Sequence, residues 1–247
     1  ALDGAARKMT AGQRLRAACA TIDTIPEQLD DLLQHKVDSL ALNVDAKLAG
    51  VRRMIHRSGV QGTAYTDEAL RMLKEIPEII LASFEDKIVK VKTKVRQRVN
   101  GMIHELTKDD QIAEEQISRI LWTIPEDVQQ IAGAAVEEAV QESQEQTTRQ
   151  LNIALRNLPE DTPETCSAIS NVRQEIIEEV PGVYPDTVCA ARTTAAVSVE
   201  HAILAVDTNG GGVPNKVVVD VLFRAKTGGM GGPLCGLHGA PSNTGSR

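Results

Sequence analysis

The strongest constraint on this chain is an apolar pattern that occurs twice, each position of the second copy lying 51 residues after its counterpart in the first. Within each copy the steps are four, four and three, which is eleven residues in three helical turns, or about 3.67 residues per turn. Such a stripe stays nearly straight along an α-helix, whereas a strand would need alternation at every second residue. We predict two helices of about 30 residues, each about 45 Å long. Their apolar stripes consist of Leu29, Leu33, Val37, Leu40, Val44, Leu48, Val51 and Ile55 in the first, and Ile80, Phe84, Ile88, Val91, Val95, Val99, Met102 and Leu106 in the second.

A tripeptide, Ile-Pro-Glu, precedes each stripe. It occurs at 25–27, 76–78 and 124–126, and a degenerate copy lies at Val180-Pro181 or at Tyr184-Pro185-Asp186. Short apolar-periodic pieces precede these prolines, and proline fits best in the first turn of a helix. We therefore predict an all-α fold of about four short-helix/long-helix repeats, with a period near 50 residues, packed as an elongated bundle or stack. At Pro77, which no capping residue precedes, a continuous helix is as consistent with the sequence as a break.

The predicted repeats divide the chain into a helical repeat domain, residues 1–207, and a C-terminal tail, residues 208–247. The repeats cover about 10–58, 66–106, 109–158 and 162–207, and the long helix of the fourth is expected to begin near Asp186. The tail contains a flexible linker, a short stretch at 217–225 that is either helix or strand, and a Gly-rich end. A Gly-rich end with few helix formers is expected to be disordered on its own.

Composition argues against several classes of function. Aromatic residues make up only 2% of the chain, which leaves little material for the thick core and lined pocket of an ordinary enzyme. The net charge of -7 argues against a dedicated nucleic-acid binder, which needs basic surface to displace counterions. No run of about 18 apolar residues occurs, so no membrane span is predicted. The start at Ala1, with no basic-then-apolar leader, is what a mature form would show after removal of a targeting peptide, for example in an organelle.

Two successive predicted long helices carry opposite charge. Residues 85–108 contain seven basic against three acidic side chains, whereas residues 126–145 contain six acidic side chains and no basic one. The simplest interpretation is that the two helices lie antiparallel with these charges facing each other. The alternative is that the basic face binds an acidic partner protein or lipid headgroups. The candidate partner-binding residues are Lys87, Lys90, Lys94 and Arg98, together with Cys235 and His238 in the tail.

The sequence contains no catalytic motif and no recognisable set of metal ligands, so we predict no catalytic residues and no metal site. The cysteines are the remaining candidates for cofactor attachment. Cys19 falls on the apolar side of a short helix and is expected to be buried. Cys166, Cys189 and Cys235 are candidate sites for a thioether-linked bilin, since a thiol early in a helix is favoured as the thiolate. Unmodified cysteine is the simpler expectation.

Long helices in thin layers expose much lateral surface and enclose little space. These features favour a non-enzymatic scaffold or linker subunit that binds other protein subunits of a larger assembly through its helical faces and its tail. One alternative is a peripheral lipid-surface protein that uses amphipathic helices of eleven-residue periodicity, although such helices usually carry aromatic anchors. A second alternative is a linker that carries a Cys-attached chromophore in a light-harvesting complex.

Overall fold

The computed structural model describes residues 10–57, 64–108, 112–158 and 163–206. These residues form α1 (Ala11–Asp23), α2 (Ile25–Arg57), α3 (Ala64–Thr107), α4 (Glu114–Leu121), α5 (Ile124–Arg156) and α6 (Pro163–Val206). No strand occurs in these four ranges, so the predicted all-α class is confirmed for the described part of the chain. None of its helices has a stretch apolar and long enough to span a lipid bilayer. The predicted tail, 208–247, lies outside the described residues.

The start of α1 is set by a local capping box. The Thr10 hydroxyl accepts a hydrogen bond from the backbone N–H of Gln13 at 3.3 Å. In return, the Gln13 side chain accepts one from the backbone N–H of Thr10 at 2.8 Å. Two N–H groups that a helix end leaves without a partner are thereby satisfied, and the chain enters the helix at a defined residue.

At Pro26 and Pro125 the helices are interrupted only briefly. Thr24 alone separates α1 from α2, and its backbone keeps right-handed helical angles, φ -80° and ψ -15°. Between α4 and α5, Trp122 and Thr123 also keep helical angles. Each proline lacks the N–H that would continue the helical ladder, so the ladder of hydrogen bonds is interrupted there while the backbone angles stay helical. The Thr24 hydroxyl donates to the carbonyl of Thr21 at 2.7 Å and does not cap α2, as an N-cap residue would.

In the second and fourth predicted repeats there is no break at all. α3 continues through Pro77, which agrees with the continuous alternative for that proline. The separate long helix expected to begin near Asp186 is wrong, because α6 runs without interruption through Pro181 and Pro185. Ile76 and Val180, the residues before Pro77 and Pro181, are fully buried. Packing against neighbouring helices therefore holds the backbone helical where local propensity alone predicts an end.

The four long helices α2, α3, α5 and α6 pack as a bundle, so a bundle and not a stack is the observed architecture. α3 lies between α2 and α5, and α6 contacts both α5 and α2, which closes the arrangement. α1 packs chiefly against α6, and α4 lies against α6 and α3. At 1.5 Å per residue, α3 and α6 are each about 66 Å long.

One continuous hydrophobic core runs through the bundle. Every position of both predicted apolar stripes is buried, including Leu29 in α2 and Phe84 in α3. α5 contributes smaller side chains to the same core, namely Ala132, Ala139, Ser143 and Thr147. The eleven-residue pattern thus correctly identified the buried side of the helices that carry it.

Two leucines of α2 test this assignment with the same substitution. Leu33 is 2% exposed and Leu42 is 69% exposed. We expect Leu33→Ala to lower the free energy of unfolding by about 2–5 kcal/mol, because it leaves a cavity in the core. Leu42→Ala is the matched control and should change it by less than about 0.5 kcal/mol. Urea unfolding followed by circular dichroism measures both, and equal effects would contradict the inward-facing stripe.

Candidate functional site

The basic side of α3 faces the acidic side of α5, as the charge pattern predicts. The Arg98 guanidinium lies 2.7 Å from a carboxylate oxygen of Asp127. Lys87 Nζ lies 2.7 Å from Glu138 and 3.4 Å from Glu142. The later residue of α3 pairs with the earlier residue of α5, so the two helices are antiparallel. We call this line of pairs the α3–α5 seam.

Lys87 is the most enclosed charged residue of the α3–α5 seam, since only 11% of its side chain is exposed. Its hydrogen bond to Glu138 raises the pKa of the lysine. The same bond lowers the pKa of the Glu138 carboxyl, and the nearby positive charges of Lys90 and Lys94 lower it further. Both shifts favour the charged forms, so the pair stays ionised over a wide pH range.

The predicted partner-binding lysines and arginine therefore fall into two groups. Lys87 and Arg98 are used inside the bundle, where they join α3 to α5. Lys90 and Lys94 are exposed, one helical turn apart on α3. Within the described part of the chain, neither has a carboxylate at ion-pair distance. Cys235 and His238, the other two candidates, lie outside the described residues.

Other ion pairs between helices were not anticipated from the sequence. Lys92 of α3 lies 2.6 Å from Asp30 of α2, and Arg96 pairs with Glu27. The closing side of the bundle is also paired: Lys47 Nζ of α2 lies 3.1 Å from a carboxylate oxygen of both Glu175 and Glu179 of α6. Between α5 and α6, Arg192 lies 2.5 Å from Glu126. Every pair of neighbouring long helices thus shares at least one ion pair.

The cysteines differ from each other in ways that the sequence did not distinguish. Cys19 is a free, buried thiol in α1, as predicted, and its burial raises the thiol pKa. Cys166 is free and partly buried in the first turn of α6, where it packs against the core. Cys189 is disulfide-bonded, and it lies in the middle of α6 and not early in a helix. Thioether attachment at Cys189 requires this disulfide to be reduced first, and the attachment itself stays a prediction.

The centre of the bundle contains a small cavity. Residues of all four long helices line it, among them Val37, Phe84, Val136 and Thr187. Its volume is about 10 Å³, which is about the space that one water molecule needs. Within the described ranges, no group of three or more His, Cys, Asp or Glu side chains is placed to hold a metal ion.

Glu200, near the end of α6, is a buried acid that sequence reasoning overlooked. It is 5% exposed, and its Oε2 atom has no hydrogen-bond partner among the described residues. Burial raises the pKa of this carboxyl, and the adjacent His201 opposes the shift in part. Its position in a stretch rich in Ala and Val indicates burial. A glutamate in an amphipathic helix is ordinarily exposed, however, and the residue was therefore not singled out.

The Lys87 pairs can be tested by removing one charge. Lys87→Gln should lower the urea midpoint of unfolding, because Glu138 and Glu142 lose the cation between them, and added salt should reduce the deficit. Lys74→Gln, at an exposed lysine of α3 away from the α3–α5 seam, is the matched control and should leave the midpoint unchanged. In the double variant Lys87→Gln/Glu138→Gln, the loss should be smaller than the sum of the two single losses. Strict additivity would show that the pair is not coupled.

The buried carboxyl predicts a pH-dependent gain in stability. Because the pKa of Glu200 is raised by folding, the stability contributed by its neutral form is lost as pH rises through the folded-state pKa. Glu200→Gln should therefore raise the free energy of unfolding at pH 7 by about 1 kcal/mol. The gain should vanish below about pH 4, where the acid is neutral in both states. Thermal unfolding at the two pH values measures this, with Glu178→Gln, an exposed change on the same helix, as the control. A variant less stable than the parent at pH 7 would contradict it.

The functional groups of the described residues are thus organised along the outside of a filled bundle. Ion pairs join the flanks of neighbouring long helices, and Lys90 and Lys94 are exposed beside the α3–α5 seam. No known protein family, no curated protein and no solved structure matches this chain.

Proposed function

We propose that the protein is a non-enzymatic scaffold or linker subunit that binds other proteins of a larger assembly. The observation that carries this proposal is the shape of its interior. Among the described residues, the apolar side chains of the four long helices share one core, and the cavity that all four helices line has a volume of about 10 Å³. The outer faces of the helices, of which α3 and α6 are each about 66 Å long, are therefore the proposed functional surface. Extended helical faces of this kind suit protein–protein contacts.

The exposed pair Lys90 and Lys94 is the proposed docking point for an acidic partner protein. Both lysines are exposed, and the carboxylates of the adjacent acidic helix are held by Lys87 and Arg98. Their positive charge therefore projects from an otherwise acidic molecule of net charge -7. The tail, with Cys235 and His238, is proposed as a second contact with the assembly.

We also propose that the four helical segments derive from one unit of about fifty residues, short helix followed by long. The Ile-Pro-Glu tripeptides and the matched stripes of the first two units support this origin. The continuous helices α3 and α6 would then be units in which the short and long helices have merged. Repeated units present similar outer faces at regular intervals, which is useful in a linker.

Two alternatives have weaker support. A lipid-surface protein would use the eleven-residue stripes on a membrane, but these residues are turned into the bundle core, and the bundle would have to open first. A carrier of a thiol-linked chromophore retains Cys166, which is free and partly buried, as its attachment site. A scaffold requires neither rearrangement nor modification.

The scaffold proposal is tested by native size and by charge reversal. Size-exclusion chromatography of a gentle native extract, read by mass spectrometry, should place the chain far above its 26.6 kDa with a constant set of neighbours. Lys90→Glu/Lys94→Glu should shift it towards the free chain, because acidic partners are then repelled. The isolated variant should stay folded, with the circular dichroism of the parent chain, because neither lysine forms an ion pair among the described residues.

Lys74→Glu is the control, since Lys74 is also an exposed lysine of α3 and lies away from the α3–α5 seam. It should leave the elution position as it is. Elution of the parent chain alone as a stable monomer or dimer would remove the scaffold proposal. Flotation with anionic vesicles would then support the lipid alternative.

A further inference from the structure

The two sides of the bundle differ in how well their interior is filled. α2 and α3 bury long apolar side chains almost throughout, including Leu48, Ile80 and Phe84. In α5 and α6 about half of the buried residues are small or polar. They are Ala132, Gly133, Ala139, Ser143, Thr147 and Ala154 in α5, and Thr187, Ala191, Ala195, Ser198, Glu200 and Ala202 in α6. Because burial of apolar area is the main stabilising contribution, α5 and α6 gain less from the shared core.

Buried polar atoms without a hydrogen-bond partner point to the same side. Among the described residues they occur only in α5 and α6: Ser143 Oγ, Thr147 Oγ1, Gln150 Oε1, Arg173 Nε, Glu179 Oε2, Thr187 Oγ1 and Glu200 Oε2. Glu179 Oε2 is nevertheless paired, since Lys47 Nζ lies 3.1 Å away and forms an ion pair with it. Each of the other atoms has no hydrogen-bond partner in the closed bundle and can bind water once the helices separate, which favours opening.

Prolines weaken α6 further. Pro181 and Pro185 lie inside the helix, and each lacks the N–H that would bond to the carbonyl four residues earlier. The Ile177 carbonyl, which Pro181 leaves without its helical donor, instead accepts a long hydrogen bond of 3.4 Å from the Gln144 side chain of α5. α6 thus depends on α5 even for its own backbone hydrogen bonding.

We propose that α6 is a releasable strap of the bundle, which detaches from α2 and α5 at a lower free energy than the unfolding of α2 and α3. α1 should detach with it, because α1 packs chiefly against α6 and only slightly against α3 and α2. Two helices from opposite ends of the described chain therefore open as one cooperative unit. This opening is a property of the chain alone and does not require the partner invoked for a scaffold.

Hydrogen exchange of the full chain, read by mass spectrometry, tests the strap directly. Amides of α6 and α1 should exchange with one common opening free energy, and those of α2 and α3 should exchange more slowly. The buried free thiol of Cys19 in α1 gives an independent readout. Its alkylation, identified by peptide mass spectrometry, should occur at the opening equilibrium found for α6. Exchange of α1 and α6 at the same free energy as α3 would overturn the proposal.

An isosteric substitution tests the cause. Thr187→Val replaces a buried hydroxyl that has no partner by a methyl group, and it should slow exchange in α6 and α1 by roughly tenfold. Thr93→Val, at an exposed position of α3, is the matched control and should leave both rates unchanged. Faster exchange of α6 in a folded Thr187→Val protein would overturn the proposal. If that variant fails to fold, the exchange pattern and Cys19 labelling of the parent chain still decide.

Discussion

The structure depends on a single constraint, the burial of one straight apolar stripe from each long helix in a common core. A pattern of 3.67 residues per turn keeps a stripe on one side of a helix over eight turns or so. The residues that border the stripe then lie next to the neighbouring helix along its whole length. Lys87 and Arg98 border it on one side of α3, and Lys92 and Arg96 on the other. The ion pairs between helices therefore follow from the stripe.

The prolines show how far packing overrides local preference. A proline every fifty residues favours a break at each one, and only the missing capping residue before Pro77 indicated that a continuous helix was equally consistent with the sequence there. The structure has brief interruptions at Pro26 and Pro125 and none at Pro77 or Pro181. Since the neighbouring apolar residues are buried in every case, for example Ile25 and Ile76, a missing N–H costs one hydrogen bond without redirecting the chain.

Helix type, the buried positions and the α3–α5 seam could be predicted because each depends on residues close in sequence or on opposite charges in successive helices. The pairs of Lys47 with Glu175 and Glu179 could not, because they join the first long helix to the last. Predicting these pairs requires knowing that α6 packs against α2, and the periodicity of the sequence does not contain that information. The bonding of Cys189 was hidden for a similar reason, since four cysteines without paired spacing do not reveal which of them react.

Ion pairs and apolar burial contribute differently to the stability of the α2–α3 side and of the α5–α6 side of this bundle. Exposed ion pairs contribute between zero and about 1 kcal/mol each, so between α2 and α3 they select the antiparallel register while the apolar stripes supply the stability. Between α5 and α6 the stripe is diluted with Ala, Ser and Thr, so these helices meet through smaller side chains. Arg192 with Glu126 and Gln144 with the Ile177 carbonyl add specific polar contacts between them.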